Sequence, residues 1–137
     1  MRQRYFLIEP MYSDPDMFCH FVVGSDRVRA SIQIYADMQM LGEVAEALTA
    51  PSQKEETPAV AEFEDGDDLF YFNLTVMPHE GGKKRLRFRV FQDWLDDGAP
   101  YRAEIKFDLS QKEAEAFASE LRAWCAKPEY AFVWKGD

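Results

Sequence analysis

Residues 101–110 read YRAEIKFDLS and residues 28–37 read VRASIQIYAD, and these two stretches decide the fold. In both, apolar and polar residues alternate, which predicts a strand with one buried face. An offset of 73 positions (102 minus 29) aligns four pairs of residues: Arg29 with Arg102, Ala30 with Ala103, Ile32 with Ile105 and Ile34 with Phe107. A segment of helical periodicity follows each strand, so the same strand-to-helix passage occurs twice.

The segment after the second of these strands has the apolar spacing of an amphipathic helix over residues 111–126. Its apolar stripe consists of Ala114, Phe117, Ala118, Leu121, Trp124 and Cys125. Ser110 and Glu113 have the spacing of a capping box at its start, and Pro128 follows its end.

A comparable helix is predicted over residues 38–49, after the first strand. Its apolar stripe consists of Met38, Leu41, Val44, Ala45 and Leu48. Asp37 is the expected N-cap and Pro51 follows the end. Gly42 lowers the stability of this helix, so we expect another part of the chain to pack closely there.

Further alternating segments predict more strands, over residues 4–8, 17–23, 59–64, 69–77, 85–91 and 130–134. We therefore predict an α+β fold, with a mainly antiparallel curved sheet of seven or eight strands and two helices packed on it. The strand-strand-helix unit is predicted to be a two-fold internal repeat, over about 1–50 and 69–127, joined by an acidic loop at 50–68. We expect residues 1–137 to be a single domain, because neither half alone buries much core.

The net charge of −9 is concentrated in the first half of the chain. Residues 1–68 contain 5 basic and 14 acidic side chains, whereas residues 69–137 contain 11 of each. Residues 55–68 alone contain seven carboxylates and no basic residue. Such a surface repels nucleic acid and anionic lipid and attracts a basic protein over roughly 8 to 10 Å in physiological salt. We therefore expect a basic protein partner and neither nucleic acid nor membrane binding.

The sequence also predicts the compartment and the state of its two cysteines. No apolar run approaches the roughly 20 residues of a membrane span, and Pro10 and acidic residues interrupt the N-terminal region before a signal-peptide core. We expect a cytoplasmic protein. Cys19 and Cys125 are interpreted as buried thiols, with a single disulfide as the alternative.

No motif in the sequence predicts catalysis, a metal or a cofactor. The two histidines, His20 and His79, lack partners at metal-ligand spacing, and Cys19 and His20 point to opposite faces of one strand. No serine or cysteine lies in a nucleophile motif. Gly81 and Gly82 precede a strand, so we interpret them as a hairpin turn and not as a phosphate-binding loop.

Two acidic clusters are the candidate partner-binding residues. They comprise Glu62, Glu64, Asp65, Asp67 and Asp68 in the first cluster, and Asp93, Trp94, Asp96 and Asp97 in the second. Solvated surface charge is the simpler interpretation of the carboxylates. Trp94 is either a core residue or an aromatic anchor in an interface.

A row of arginines is the other charged feature. Arg85, Arg87 and Arg89 are predicted to share one face of a strand. Such a row either binds a carboxylate or phosphate group or forms ion pairs with acidic residues of the next strand, such as Glu104 and Asp108.

The order of these segments resembles a known family. Two strands that lead to a helix, then VAEF, DLFYFNLTV, RLRFRV and YRAEIKFDLS, and a closing helix with EAFASELRAW, are similar in layout to the WapI-type immunity proteins of bacterial polymorphic toxin systems. The resemblance covers about residues 17–126. It implies a non-enzymatic inhibitor that binds a cognate toxin domain and occludes its active site.

Three functions are thus open at this point. The first is a non-enzymatic soluble binding protein, of the immunity type, whose acidic face binds a basic toxin domain. The second is a small-molecule-binding domain or enzyme with a cleft between sheet and helices. The third is a homodimeric structural protein that uses an exposed strand edge or aromatic patch.

Overall fold

The computed structural model describes residues 3–12, 17–25, 28–50, 59–64, 70–92 and 101–136. Within these residues the chain forms eight strands and two α-helices, which confirms the α+β class. The strands are β1 Arg4–Tyr12, β2 Phe18–Ser25, β3 Val28–Tyr35, β4 Ala59–Glu64, β5 Phe70–His79, β6 Lys83–Gln92, β7 Tyr101–Leu109 and β8 Phe132–Gly136. The helices are α1 Met38–Thr49 and α2 Gln111–Ala126, and a 3₁₀ turn at Glu80–Gly82 connects β5 to β6.

The strands form two antiparallel sheets of four strands each, among the residues described. The first sheet has the order β3-β2-β1-β8 and the second has the order β4-β5-β6-β7. This arrangement corrects the prediction of one continuous curved sheet. The alternation of residues reveals which side of a strand is buried, but it does not reveal which strands pair with one another.

Each sheet contains three consecutive strands that lead into a helix. β1, β2 and β3 precede α1, and β5, β6 and β7 precede α2. The strand after each helix then joins the sheet of the other half, because β4 pairs with β5 and β8 pairs with β1. The connecting segment 50–68 is therefore not a loop throughout, since it contains β4. The internal repeat stays a prediction.

α1 packs on the second sheet and α2 packs on both sheets, around one hydrophobic cluster. α1 contacts α2, β4 and β5, whereas α2 also contacts β6, β7 and β8. The predicted stripes are buried at Leu41, Val44, Ala45, Leu48, Ala114, Phe117, Ala118, Leu121 and Trp124. The two sheets contact each other directly as well, through β2 and β3 on one side and β6 and β7 on the other.

Side chains satisfy the unpaired amides at the start of each helix. Asp37 Oδ1 accepts from the amide of Gln39 at 2.9 Å, which confirms Asp37 as the N-cap of α1. Ser110 Oγ accepts from the amide of Glu113, and Glu113 Oε1 accepts from the amide of Ser110, each at 3.1 Å. The capping box predicted for α2 is confirmed.

The glycines of α1 and of the β5–β6 connection have different structural roles. A Cβ at Gly42 would meet no atom within 4 Å, so the prediction of close packing at this position is wrong. Gly81 and Gly82 have φ angles of 73° and 76°, which L side chains rarely adopt. They lie in the turn between two paired strands, as predicted.

Lys84 is a buried lysine on β6 that faces the end of α1. Its Nζ donates to the carbonyl oxygen of Ala50 at 2.9 Å, at the C-cap of the helix. A positive charge at this end is favourable because the last carbonyls of a helix carry partial negative charge. The bond attaches α1 to the second sheet.

Candidate functional site: a charged surface on the second sheet

The outer face of the second sheet carries ion pairs between β6 and β7. Arg85 Nε lies 2.9 Å from Asp108 Oδ1, directly across the two strands. Arg87 Nε lies 3.0 Å from Glu104 Oε1, in a diagonal pair. This confirms the interpretation that the arginines pair with acidic residues of the next strand, at least for Arg85 and Arg87. The hydrogen bond to Asp108 raises the pKa of the Arg85 guanidinium further above its already high value.

The second sheet places residues of β4 and β7 on either side of the arginine row. In the register, Glu62 pairs with Asn73, Asn73 with Arg89 and Arg89 with Glu104, so these four residues form one row across the sheet. Asn73 is buried, and its Oδ1 accepts from the hydroxyl of Thr75 at 2.6 Å. In this row, Arg89 thus lies between the neutral Asn73 and the acidic Glu104.

A pocket of about 410 Å³ lies at one end of β6 and β7. Its lining consists of Arg89, Val90, Phe91, Arg102, Ala103 and Glu104. The guanidinium of Arg102 lies 5.1 Å from the ring centroid of Phe91, within cation–π range. Glu104 Oε1 lies 3.0 Å from Arg87 Nε, and Lys106 Nζ lies 3.8 Å from the same carboxylate oxygen. These lining residues all belong to strands, so this pocket differs from the cleft between sheet and helices that the small-molecule alternative requires.

The strand ends that lead into the two acidic clusters lie at the same end of the second sheet, with β5 between them. Glu64 pairs with Tyr71, Phe70 pairs with Gln92, and Gln92 pairs with Tyr101. Glu64 and Gln92 are the last described residues before 65–69 and 93–100. The pocket is at this end as well, because Phe91 and Arg102 are adjacent to Gln92 and Tyr101.

Most of the candidate partner-binding residues lie outside the described residues. Of these residues, Glu62 and Glu64 belong to a described strand, β4. The others, Asp65, Asp67, Asp68, Asp93, Trp94, Asp96 and Asp97, are outside the described ranges. Their part in binding stays a prediction.

Both cysteines are free thiols with raised pKa values. Both are free, Cys19 is buried and Cys125 is half-buried. Burial raises the pKa of Cys19 to about 11 and that of Cys125 to about 11, so each remains protonated at neutral pH. Within the ranges given above, no group of three or more His, Cys, Asp or Glu side chains has a geometry that would hold a metal ion.

No family model, no curated protein and no solved structure matches the chain. Among the described helices, neither is long and apolar enough to cross a membrane.

Two surface features escaped the interpretation of the sequence. One is the stacking of Arg102 on Phe91, which depends on the pairing of β6 with β7. The other is an apolar row on the outer face of the first sheet, formed by Leu7, Val22 and Val133. The sequence did contain a signal for this row. β1, β2 and β8 contain uninterrupted apolar runs, whereas a strand that is buried on one side alternates apolar and polar residues.

Proposed function

We propose that the chain is a non-enzymatic binding protein of the immunity type, which binds a basic protein domain through the acidic end of its second sheet. One observation carries this proposal: the strand ends that lead into the two acidic clusters, Glu64 of β4 and Gln92 of β6, lie at the same end of the second sheet, on either side of β5. Six of the eight carboxylates in the two clusters belong to the segments that follow these strand ends, and Glu62 and Glu64 belong to β4 itself. A basic domain, such as a toxin of nuclease type, would meet a concentrated negative field there.

Two of the arginines on the described outer face are already paired. Arg85 and Arg87 form ion pairs with Asp108 and Glu104, whereas Arg89 and Arg102, which line the pocket, place two positive charges at this end of the sheet. The proposal includes the cytoplasm as the compartment and a toxin domain as the partner, in keeping with the resemblance to WapI-type immunity proteins. It excludes nucleic acid as the partner because phosphate groups would be repelled.

Capture of partners from the source cells at two salt concentrations tests the proposal. The tagged chain is incubated with lysate at about 50 mM and about 500 mM salt, and the principal partner is purified and its affinity measured. We expect a basic protein whose affinity falls at least tenfold at the higher salt, since exposed charges attract each other less when screened. A principal partner retained equally at both concentrations contradicts the proposal.

Charge variants test which surface is used. The triple variant Asp93→Asn, Asp96→Asn, Asp97→Asn removes three carboxylates from the proposed surface. The matched control, Glu43→Gln, Glu46→Gln, Glu120→Gln, removes three exposed carboxylates from the helices. We expect the first variant to weaken binding of the purified partner at least tenfold and the control to change it less than threefold. Equal effects of the two variants would mean that total charge, and not this surface, determines affinity.

A second candidate function rests on the pocket beside Arg102. Arg102 and the ring of Phe91 offer a guanidinium and an apolar face, which suit a small aromatic carboxylate. Titration of the chain with benzoate, followed by NMR chemical shifts, tests this function. Saturable shifts at Phe91 that disappear in Arg102→Gln would support it, and equal shifts at Phe91 in both proteins would count against it.

A further inference from the structure

Three strands of the first sheet have apolar residues on both faces. β1 contains the run FLI at residues 6–8, β2 contains FVV at 21–23 and β8 contains FVW at 132–134. The inner residues of these runs belong to the hydrophobic cluster, whereas Leu7, Val22 and Val133 do not. Uninterrupted apolar runs are typical of strands that are covered on both sides.

The register joins these three outer residues into one row. Leu7 pairs with Val22 on one side and with Val133 on the other. Val22 is only 4% exposed, Leu7 is half-buried, and Val133 is 50% exposed. The apolar row therefore reaches the surface, most openly at β8. We call it the outer strip.

Charged residues of opposite sign lie at the two ends of this face. On one side of the outer strip, the register aligns Lys135, Tyr5, Gly24 and Arg29. On the other side it aligns Glu9, His20 and Gln33. Lys135, Arg29 and Glu9 are all exposed. The face is thus basic at one end, apolar in the middle and acidic at the other end.

We propose that this face binds the same face of a second copy of the chain. A two-fold axis along the outer strip lays the strip of one copy on the strip of the other. The same rotation places Glu9 of each copy next to Tyr5 and Lys135 of the other copy. An isologous contact of this kind needs a self-complementary surface, and a face with opposite charges on either side of an apolar row meets that requirement.

The size of the face determines the affinity that we expect between the two copies. β1, β2 and β3 are eight or nine residues long and β8 has five residues. With strands about 4.8 Å apart and a rise of about 3.3 Å per residue, the face covers at most roughly 20 Å by 26 Å. Such an area is at the low end of specific protein interfaces. We therefore expect a reversible dimer with a dissociation constant in the micromolar range. The dimer leaves the second sheet and its acidic end untouched, so it is independent of the proposed function.

Analytical ultracentrifugation of the full chain, from about 1 to about 200 µM, tests the proposal. We expect the mass to rise from one copy to two over this range. Val133→Asp places a charge in the strip and is expected to raise the dissociation constant more than tenfold. Because Val133 is half exposed, this variant remains folded, which circular dichroism verifies. A wild-type chain that is monomeric throughout means that the strip has another occupant or none, and overturns the proposal.

A charge exchange tests the orientation of the two copies. Glu9→Lys places a lysine opposite Lys135 and is expected to weaken the dimer about tenfold, and Lys135→Glu added to it is expected to restore the dimer. The control Glu129→Lys makes the same charge change at an exposed position outside this face and is expected to have no effect. A dimer that Glu9→Lys and Glu129→Lys affect equally uses a different surface, and the proposal fails.

Discussion

Arg4 on β1 forms an ion pair with Glu113 in the first turn of α2, with 2.5 Å between Nη2 and Oε2. The Nη1 of Arg4 donates to the carbonyl oxygen of Asp108 near the end of β7. Its guanidinium also lies 5.6 Å from the ring centroid of Trp134 on β8. Only 12% of the Arg4 side chain is exposed. One side chain thus connects both sheets to the start of a helix.

Replacing Arg4 with methionine is expected to destabilise the fold by about 3 kcal/mol, because Glu113 and the Asp108 carbonyl both lose a charged donor. Urea unfolding followed by circular dichroism measures the change. Lys112→Met removes a neighbouring exposed charge and is expected to cost less than about 0.5 kcal/mol. A loss below about 1 kcal/mol for Arg4→Met would show that water replaces the guanidinium easily.

The same ion pair predicts a pH dependence of stability. Burial alone would raise the pKa of Glu113, but hydrogen bonds from Ser110 and Arg4 and the charge of Arg4 outweigh it and hold the pKa below its ordinary value. The stabilisation is therefore present above the pKa of the unfolded chain and is lost as the pH falls through the lower folded pKa. We expect wild type to be more stable than Glu113→Gln at about pH 7, with the difference shrinking towards about pH 3. The urea unfolding midpoints of both proteins across this pH range measure the difference in stability. A difference that stays constant with pH would contradict the prediction.

The capping box of α2 is testable by removal of one hydroxyl. Ser110→Ala leaves the amide of Glu113 without its acceptor and is expected to cost about 1 kcal/mol. Ser119→Ala removes an exposed hydroxyl from the middle of the same helix and is expected to be neutral or slightly stabilising, since alanine favours helix. The thermal unfolding midpoints of the two variants, compared with that of the wild type, test this prediction. Similar changes for both would argue against a role of the cap.

Gly42 and Gly81 are expected to respond to alanine with opposite signs. At Gly42 a Cβ meets open space in a helix, so Gly42→Ala is expected to stabilise the protein by about 0.5 to 1 kcal/mol. At Gly81 the φ of 73° strains any L side chain, and Gly81→Ala is expected to destabilise it by about 1 kcal/mol or more. Urea unfolding compares the two variants. A loss of stability in Gly42→Ala would contradict the finding that a Cβ at this position has open space.

Phe6 is the aromatic residue that bridges the two sheets and α2. Its ring centroid lies between 5.4 and 6.4 Å from those of Phe21, Phe88, Phe117 and Phe132. Phe6→Ala is expected to cost about 3 to 5 kcal/mol, because it removes these edge contacts and leaves a cavity. Tyr130→Ala, at a side chain that is 80% exposed, is expected to change stability by less than about 0.5 kcal/mol. The chemical-denaturation midpoints of the two variants provide the comparison.

The local parts of the fold were readable from the sequence. The predicted helix bounds, 38–49 and 111–126, agree with α1 and α2, and the predicted strands 28–35 and 59–64 agree with β3 and β4. Periodicity and caps determine these elements through contacts only three or four residues apart. The ion pairs of Arg85 and Arg87 were foreseen for a similar reason, because neighbouring strands in an antiparallel hairpin are joined by a short connection.

The pairing of distant strands was decided by the tertiary structure alone. The alternation of buried and exposed residues in β8 indicates which side of the strand is buried. It does not indicate that β8 pairs with β1 and so completes a first sheet separate from the second. The same holds for the position of the ends of β4 and β6 at one end of the second sheet, on either side of β5, which supports the proposed binding surface. By itself the sequence determined the elements and their buried faces, since those depend on local spacing. Only the folded chain decided the two-sheet layout and which charged segments became neighbours, because those depend on how all the apolar faces fill one core.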